Sequence, residues 1–183
     1  MRFFVFVCCA LFTGLAGARS ATLDDLVPGD SLLLLNVSAG HYRSFLLETA
    51  GGPLDEHIEL SIEKANPDPK WAPSSMICVT AKSSSYEACL RFTARDPGAS
   101  TVYGSRLLFK DDKKTLLSQE PVPGSFTMGK AVRIALRSGP DTVEFKVDDG
   151  AWLMQALPFS PEAVRLNCSS ALCKLRLGDR PSP

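Results

Sequence analysis

Short runs with a two-residue hydrophobic period, each closed by turn-forming residues, recur along this chain and restrict what it can fold into. In "HIELSIEK" Ile58, Leu60 and Ile62 alternate with His57, Glu59, Ser61 and Glu63, and "AVRIALR" sets Val132, Ile134 and Leu136 to one side. A period of two puts successive side chains on opposite faces of a strand, whereas a helix needs apolar positions three and four apart. The segments "MICVTAK" and "ACLRFTAR" form a hairpin about "SSSYE", and "TVEFKVDDGAWLMQAL" forms a second one at Asp149-Gly150, a dipeptide suited to a type I′ turn. "AVRLNC" and "LCKLRLGD" are the closing strands, the latter with Cys173, Leu175 and Leu177 on one side. "SLLLLNV", from Ser31 to Val37, is apolar without alternation and predicts a strand buried on both faces. "NPDPKWAPSS", with three prolines, is a surface loop. About ten to twelve short strands with turn signals roughly every 8–12 residues predict one all-β domain, an antiparallel sandwich or barrel.

The chain has 183 residues and opens with "MRFFVFVCCALFTGLAGARS", a basic Arg2, an apolar run from Phe3 to Phe12 and the small residues Ala16, Gly17 and Ala18. That pattern is a secretory signal peptide over residues 1–18, too short to span a membrane. The remaining chain divides into a folded domain over residues 24–179 and a frayed tail over 180–183. Secretion removes Cys8 and Cys9 and leaves Cys78, Cys89, Cys168 and Cys173 in an oxidising compartment. The turn-like segments between neighbouring cysteines favour the pairs Cys78–Cys89 and Cys168–Cys173. Asn36 and Asn167 each open an Asn-x-Ser sequon and are candidate glycosylation sites. The 20 basic and 20 acidic residues balance, which argues against a nucleic acid or an anionic membrane as partner.

Residues for chemistry are scarce. His41 and His57 are the only histidines, and neither lies in a nucleophile motif. Asp111-Asp112 and Asp148-Asp149 are turn pairs whose members point apart on a strand, so they make no acid/base couple. The cysteine spacing does not suit zinc, and no calcium loop occurs, so no metal or cofactor is expected. A binding protein is therefore expected rather than an enzyme. The strand "CLRFTAR" bears on this, because it places Cys89, Arg91, Thr93 and Arg95 on one face and Leu90, Phe92 and Ala94 on the other. Trp71 and Trp152 are the only indoles, and an exposed indole offers a platform for the apolar face of a sugar.

Several of these segments together resemble the galectin family. "LVPGDSLLLLNVSAGHYRSFLLE" is similar to its opening turns and strands, and "CLRFTAR" to its His-Phe-Asn-Pro-Arg strand. "GSFTMGKAVRIALRSGPDTVEFKVDDGAWLMQALPFSPEAVRLNCSSALCKLRLGD" keeps step with the family at Phe126, Gly129, Phe145, Val147, Gly150, Val164 and Leu166. The resemblance spans most of residues 26–179, with an insertion around residues 51–76. It implies a jelly-roll-like sandwich of two antiparallel sheets that binds β-galactosides on a concave sheet, without metal or catalysis. Carried over by position, the family's histidine becomes Arg91 and its asparagine Thr93, while its arginine is kept as Arg95. The family's second asparagine falls near Gly104 and is absent. "FKDDKKTLLSQE" lacks the family's tryptophan and keeps an acid only at Glu120. The candidate carbohydrate contacts are therefore Arg91, Thr93, Arg95, Tyr103, Arg106 and Glu120, with Phe109 a further stacking surface. The expectation is a secreted galectin-like lectin of altered or weakened β-galactoside specificity, with a glycan or glycoprotein partner of acidic character. The alternative is a secreted sandwich that contacts an extracellular protein without binding sugar.

Overall fold

A computed structural model describes residues 20–22, 32–48, 53–66, 70–82, 84–96, 98–110 and 115–178. The residues expected as a signal peptide (1–18) and as a tail (180–183) lie outside these. Fourteen strands run through the described residues: β1 Ser20–Thr22, β2 Leu32–Asn36, β3 Tyr42–Glu48, β4 Asp55–Ala65, β5 Ser74–Thr80, β6 Tyr86–Ala94, β7 Thr101–Lys110, β8 Thr115–Pro121, β9 Phe126–Thr127, β10 Val132–Ser138, β11 Thr142–Val147, β12 Trp152–Ala156, β13 Ala163–Ser169 and β14 Ala171–Leu177. They build two sheets. One has eight strands in the order β1-β3-β13-β5-β6-β7-β8, with β9 also on β7, and the other has six in the order β12-β11-β10-β4-β14-β2. All pairings are antiparallel except β1 with β3. No helix long and apolar enough to cross a membrane occurs among the described residues.

The alternation does what the sequence predicts. Ala88, Leu90 and Phe92 of β6 face Ile58, Leu60, Ile134, Leu136 and Phe145 of the opposing sheet in one core, all of them buried. Phe92 meets Phe126 edge to face, with ring centroids 5.1 Å apart. β13 and β14, one in each sheet, are separated by Ser170 alone, which is fully buried at φ 49°. Its hydroxyl accepts from the Gly40 amide at 3.0 Å, and its backbone joins His41 and Asn66. The disulfide Cys168–Cys173 closes this corner inside the core, and Cys78–Cys89 joins directly opposed residues of β5 and β6. Both expected pairings are thus present.

Two expectations give way. β2 lies in a two-layer sandwich and is therefore covered on one face only: Leu35 is buried, while Leu32 and Leu34 face solvent in register with Arg176 and Lys174. The β11–β12 connection spans four residues, with the positive φ of 48° at Asp148 rather than at Asp149 and Gly150 as a type I′ turn would need.

Gly104 lies opposite Phe92 on the core side of β7, and a Cβ there would sit 2.8 Å from the Val122 Cβ. That is an overlap with a branched, packed side chain. Gly104→Ala is expected to destabilise the protein by about 1–3 kcal/mol, read as a lower urea midpoint at unchanged m-value. An unchanged midpoint would show that the β7–β9 packing is looser than described.

Candidate ligand-binding face

Directly opposed residues of an antiparallel sheet share a face. The outward face of the eight-stranded sheet can therefore be followed as rows. One row runs Tyr42, Ser169, Ser74, Thr93, Tyr103, across β3, β13, β5, β6 and β7. Three hydroxyls thus lie between two exposed phenols, Tyr42 at 73% and Tyr103 at 44% exposure. The next row is Ser44, Asn167, Met76, Arg91, Ser105. Beyond it stand Arg165, Cys78, Cys89 and Leu107, then Thr80, Glu87 and Phe109.

The disulfide changes the character of this face. Cys78, Cys89 and Leu107 are buried, although they point away from the core, because Met76 and Phe109 pack over them. An apolar block thus occupies the middle of the sheet beside the polar rows. Asn167 adjoins it: its amide donates to the Cys78 sulfur at 3.6 Å and its carbonyl oxygen accepts from the Ser44 hydroxyl. Arg165 pairs with Glu87 on the far side of the disulfide. Cys78, Glu87 and Cys89 lie close enough for a metal site, but the two sulfurs are bonded to each other and provide no thiolate.

Arg91 stands where the polar and apolar rows meet. It is half-buried, its Nε is closed off from solvent with no partner, and no hydrogen bond or ion pair reaches the side chain among the described residues. Burial pushes its guanidinium below the ordinary arginine value. A cation stripped of water without a counter-charge is an unfavourable arrangement that an incoming anion relieves. Thr93, two residues on, makes only long contacts, 3.4 Å to the Pro73 carbonyl and 3.3 Å to that of Ala94. Arg95 follows the end of β6 and is exposed.

Of the six candidate contacts, Arg91, Thr93 and Tyr103 come together on this face, with Arg95 at its margin. Arg106 and Glu120 do not join them. Arg106 is opposite Leu90, so it points into the space between the sheets, where it pairs with Glu120 and donates to the Met154 carbonyl of β12. These two residues close the edge of the sandwich. Phe109 is on the outward face but is engaged in covering the disulfide. Sequence reasoning missed Tyr42, Ser74 and Ser169, since only the strand order brings them into the row of Thr93. Of the sequons, Asn36 is exposed on β2, whereas the Asn167 side chain is 9% exposed and held from both ends. Asn167 is thus buried and hydrogen-bonded on the outward face of the eight-stranded sheet.

No family model and no curated protein sequence matches this chain. Solved structures do. The carbohydrate-binding module CBM66 from Bacillus subtilis is similar at 11% identity and TM-score 0.50, over 80% of this chain and 92% of its own. Two galectins also match: congerin II at 11% identity and TM-score 0.48, over 73% of this chain and 98% of its own, and chicken galectin 2 at 18% and 0.45, over 72% and 93%. A glycosidic hydrolase and an alginate lyase from Pseudomonas aeruginosa match at 0.46 each. At these identities the likeness concerns the fold alone, a two-sheet antiparallel sandwich of the sort that a carbohydrate-binding module has.

Proposed function

We propose that this protein is a secreted, galectin-like glycan-binding module, without catalytic activity, whose ligand carries an acidic group. The observation that carries this reading is Arg91: an uncompensated, half-buried guanidinium beside a row of hydroxyls and two exposed phenols. A guanidinium fork grips carboxylate or sulfate oxygens through paired hydrogen bonds, and the hydroxyl row supplies both donors and acceptors to sugar hydroxyls. A plain β-galactoside would find little here, since the family's aromatic floor and two amides are replaced and Glu120 is bonded to Arg106. The two disulfides agree with an extracellular protein, as does the signal-like leader.

A second reading, contact with an extracellular protein, has its support at the sandwich edge. All seven residues of β8 are exposed, Leu116 and Leu117 at 46% and 49%, and Met154 of the neighbouring β12 at 64%. An open edge strand with apolar side chains is a template for pairing with another chain. Enzymatic removal of glycans from a captured partner separates the readings, because only protein contact survives it.

On a glycan array containing neutral, sialylated, uronic and sulfated sugars, binding is expected to concentrate on the anionic members and to weaken with salt. Arg91→Ala is expected to lower affinity for them about tenfold or more, and Arg91→Lys to restore only part, since an ammonium cannot make the paired contact. Absence of hits, or hits indifferent to Arg91→Ala, would overturn the proposal. In a glycosylating secretory host, intact-mass analysis should lose one glycan on Asn36→Gln and none on Asn167→Gln. A glycan lost with Asn167 instead would contradict the burial described for that side chain.

A further inference from the structure

The outward face of the other sheet carries a groove of about 490 Å³ that recognition at Arg91 does not use. Its origin is legible in the register. Across β12, β11, β10 and β4 one row runs Trp152, Lys146, Ala135, His57. Ala135 is the one short side chain in that row, so the surface sinks between Trp152 and His57. Gly178 continues the depression, lying so near His57 that an added Cβ would come within 3.0 Å of the His57 Cβ.

The indole wall of this groove is built. Trp152 is 37% exposed, and the Arg137 guanidinium lies over its ring, 4.1 Å from the centroid. Arg137 is fixed in turn by its pair with Glu144. An indole stacked on a clamped arginine is held in one orientation before any ligand arrives, which lessens the ordering that binding would require. The polar lining is mixed. Arg133 is engaged with Asp148 and Asp149 at the rim. The side chains of Lys146, Arg176, Glu59 and His57 make no hydrogen bond or ion pair among the described residues. They therefore present donors, an acceptor and an imidazole to whatever enters. Arg133, Lys146 and Arg176 balance Glu59, Asp148 and Asp149, so the lining has no net charge with His57 neutral.

The geometry points to a second saccharide site here, on the face opposite Arg91, for a neutral pyranose whose C–H face packs on Trp152. A pyranose offers one apolar face and a ring of hydroxyls that both donate and accept, which is the complement of an indole beside a balanced set of cations and carboxylates. The lack of net charge separates this site from the outward face of the eight-stranded sheet, where the uncompensated Arg91 selects an anion.

The chain has two tryptophans, so Trp71→Phe leaves Trp152 as the sole indole reporter. That variant is titrated with cello-, malto-, manno- and chito-trioses and with lactose, following emission, and the wild type is titrated in parallel by calorimetry. At least one neutral sugar is expected to shift Trp152 emission saturably. Trp152→Ala is expected to weaken that sugar about tenfold by calorimetry. Ala135→Met, which fills the floor and leaves the indole in place, is expected to weaken it as well. Arg91→Ala should leave it unchanged. No saturable shift with any of these sugars would overturn the proposal, as would calorimetric binding insensitive to both groove variants or abolished by Arg91→Ala. Failure of acidic glycans at Arg91 would remove the reading of that face and leave this one standing.

Discussion

The corner at Ser170 governs the rest of the molecule. One buried residue carries the chain from β13, between β3 and β5 of the eight-stranded sheet, to β14, between β4 and β2 of the other. A connection of one residue allows no slack, and Cys168–Cys173 ties the same two strands across the core. Shifting either strand by one residue would turn its apolar set outward, so the registers of both sheets are locked together at this point. The left-handed backbone at Ser170 is held by its bonds to Gly40, His41 and Asn66, three residues from two further segments.

Locked registers leave two outward faces of fixed composition, and those faces differ. On the eight-stranded sheet the Cys78–Cys89 disulfide collects Leu107, Met76 and Phe109 into an apolar block, and a half-buried arginine borders it without a counter-charge. On the six-stranded sheet a short alanine opens a groove beside a clamped indole, and the charges around it cancel. The edge between them is closed on one side by Arg106, Glu120 and the β12 backbone, together with the Gln155 amide, which donates to the Leu107 carbonyl at 3.4 Å. A pair expected from the sequence as ligand contacts thus serves to join the sheets.

Where alternation was clean the sequence was informative. β4, β6 and β10 bury the side chains their patterns indicate, and Arg91 and Thr93 stand on the open face as expected. β7 was opaque for a physical reason. Its sequence "TVYGSRLLFK" has no consistent period, because Arg106 turns inward to reach across the sandwich while Leu107 turns outward to cover the disulfide. Both depend on a partner strand that local patterning does not reveal. β2 failed in the opposite sense: four successive leucines suggested burial on both faces, yet a strand of a two-layer sandwich has one covered face, and Leu32 and Leu34 lie on the other. The hydroxyl row beside Thr93 was invisible because its members come from five strands scattered along the chain.

Backbone amide NMR of the isotope-labelled protein, titrated with one sulfated and one sialylated oligosaccharide, tests the proposed recognition at Arg91 most directly. Saturable shifts should centre on Met76, Arg91, Thr93 and Tyr103 and leave Trp152 and Ala135 unmoved. Shifts confined to the six-stranded sheet, or none with either sugar, would contradict recognition at Arg91.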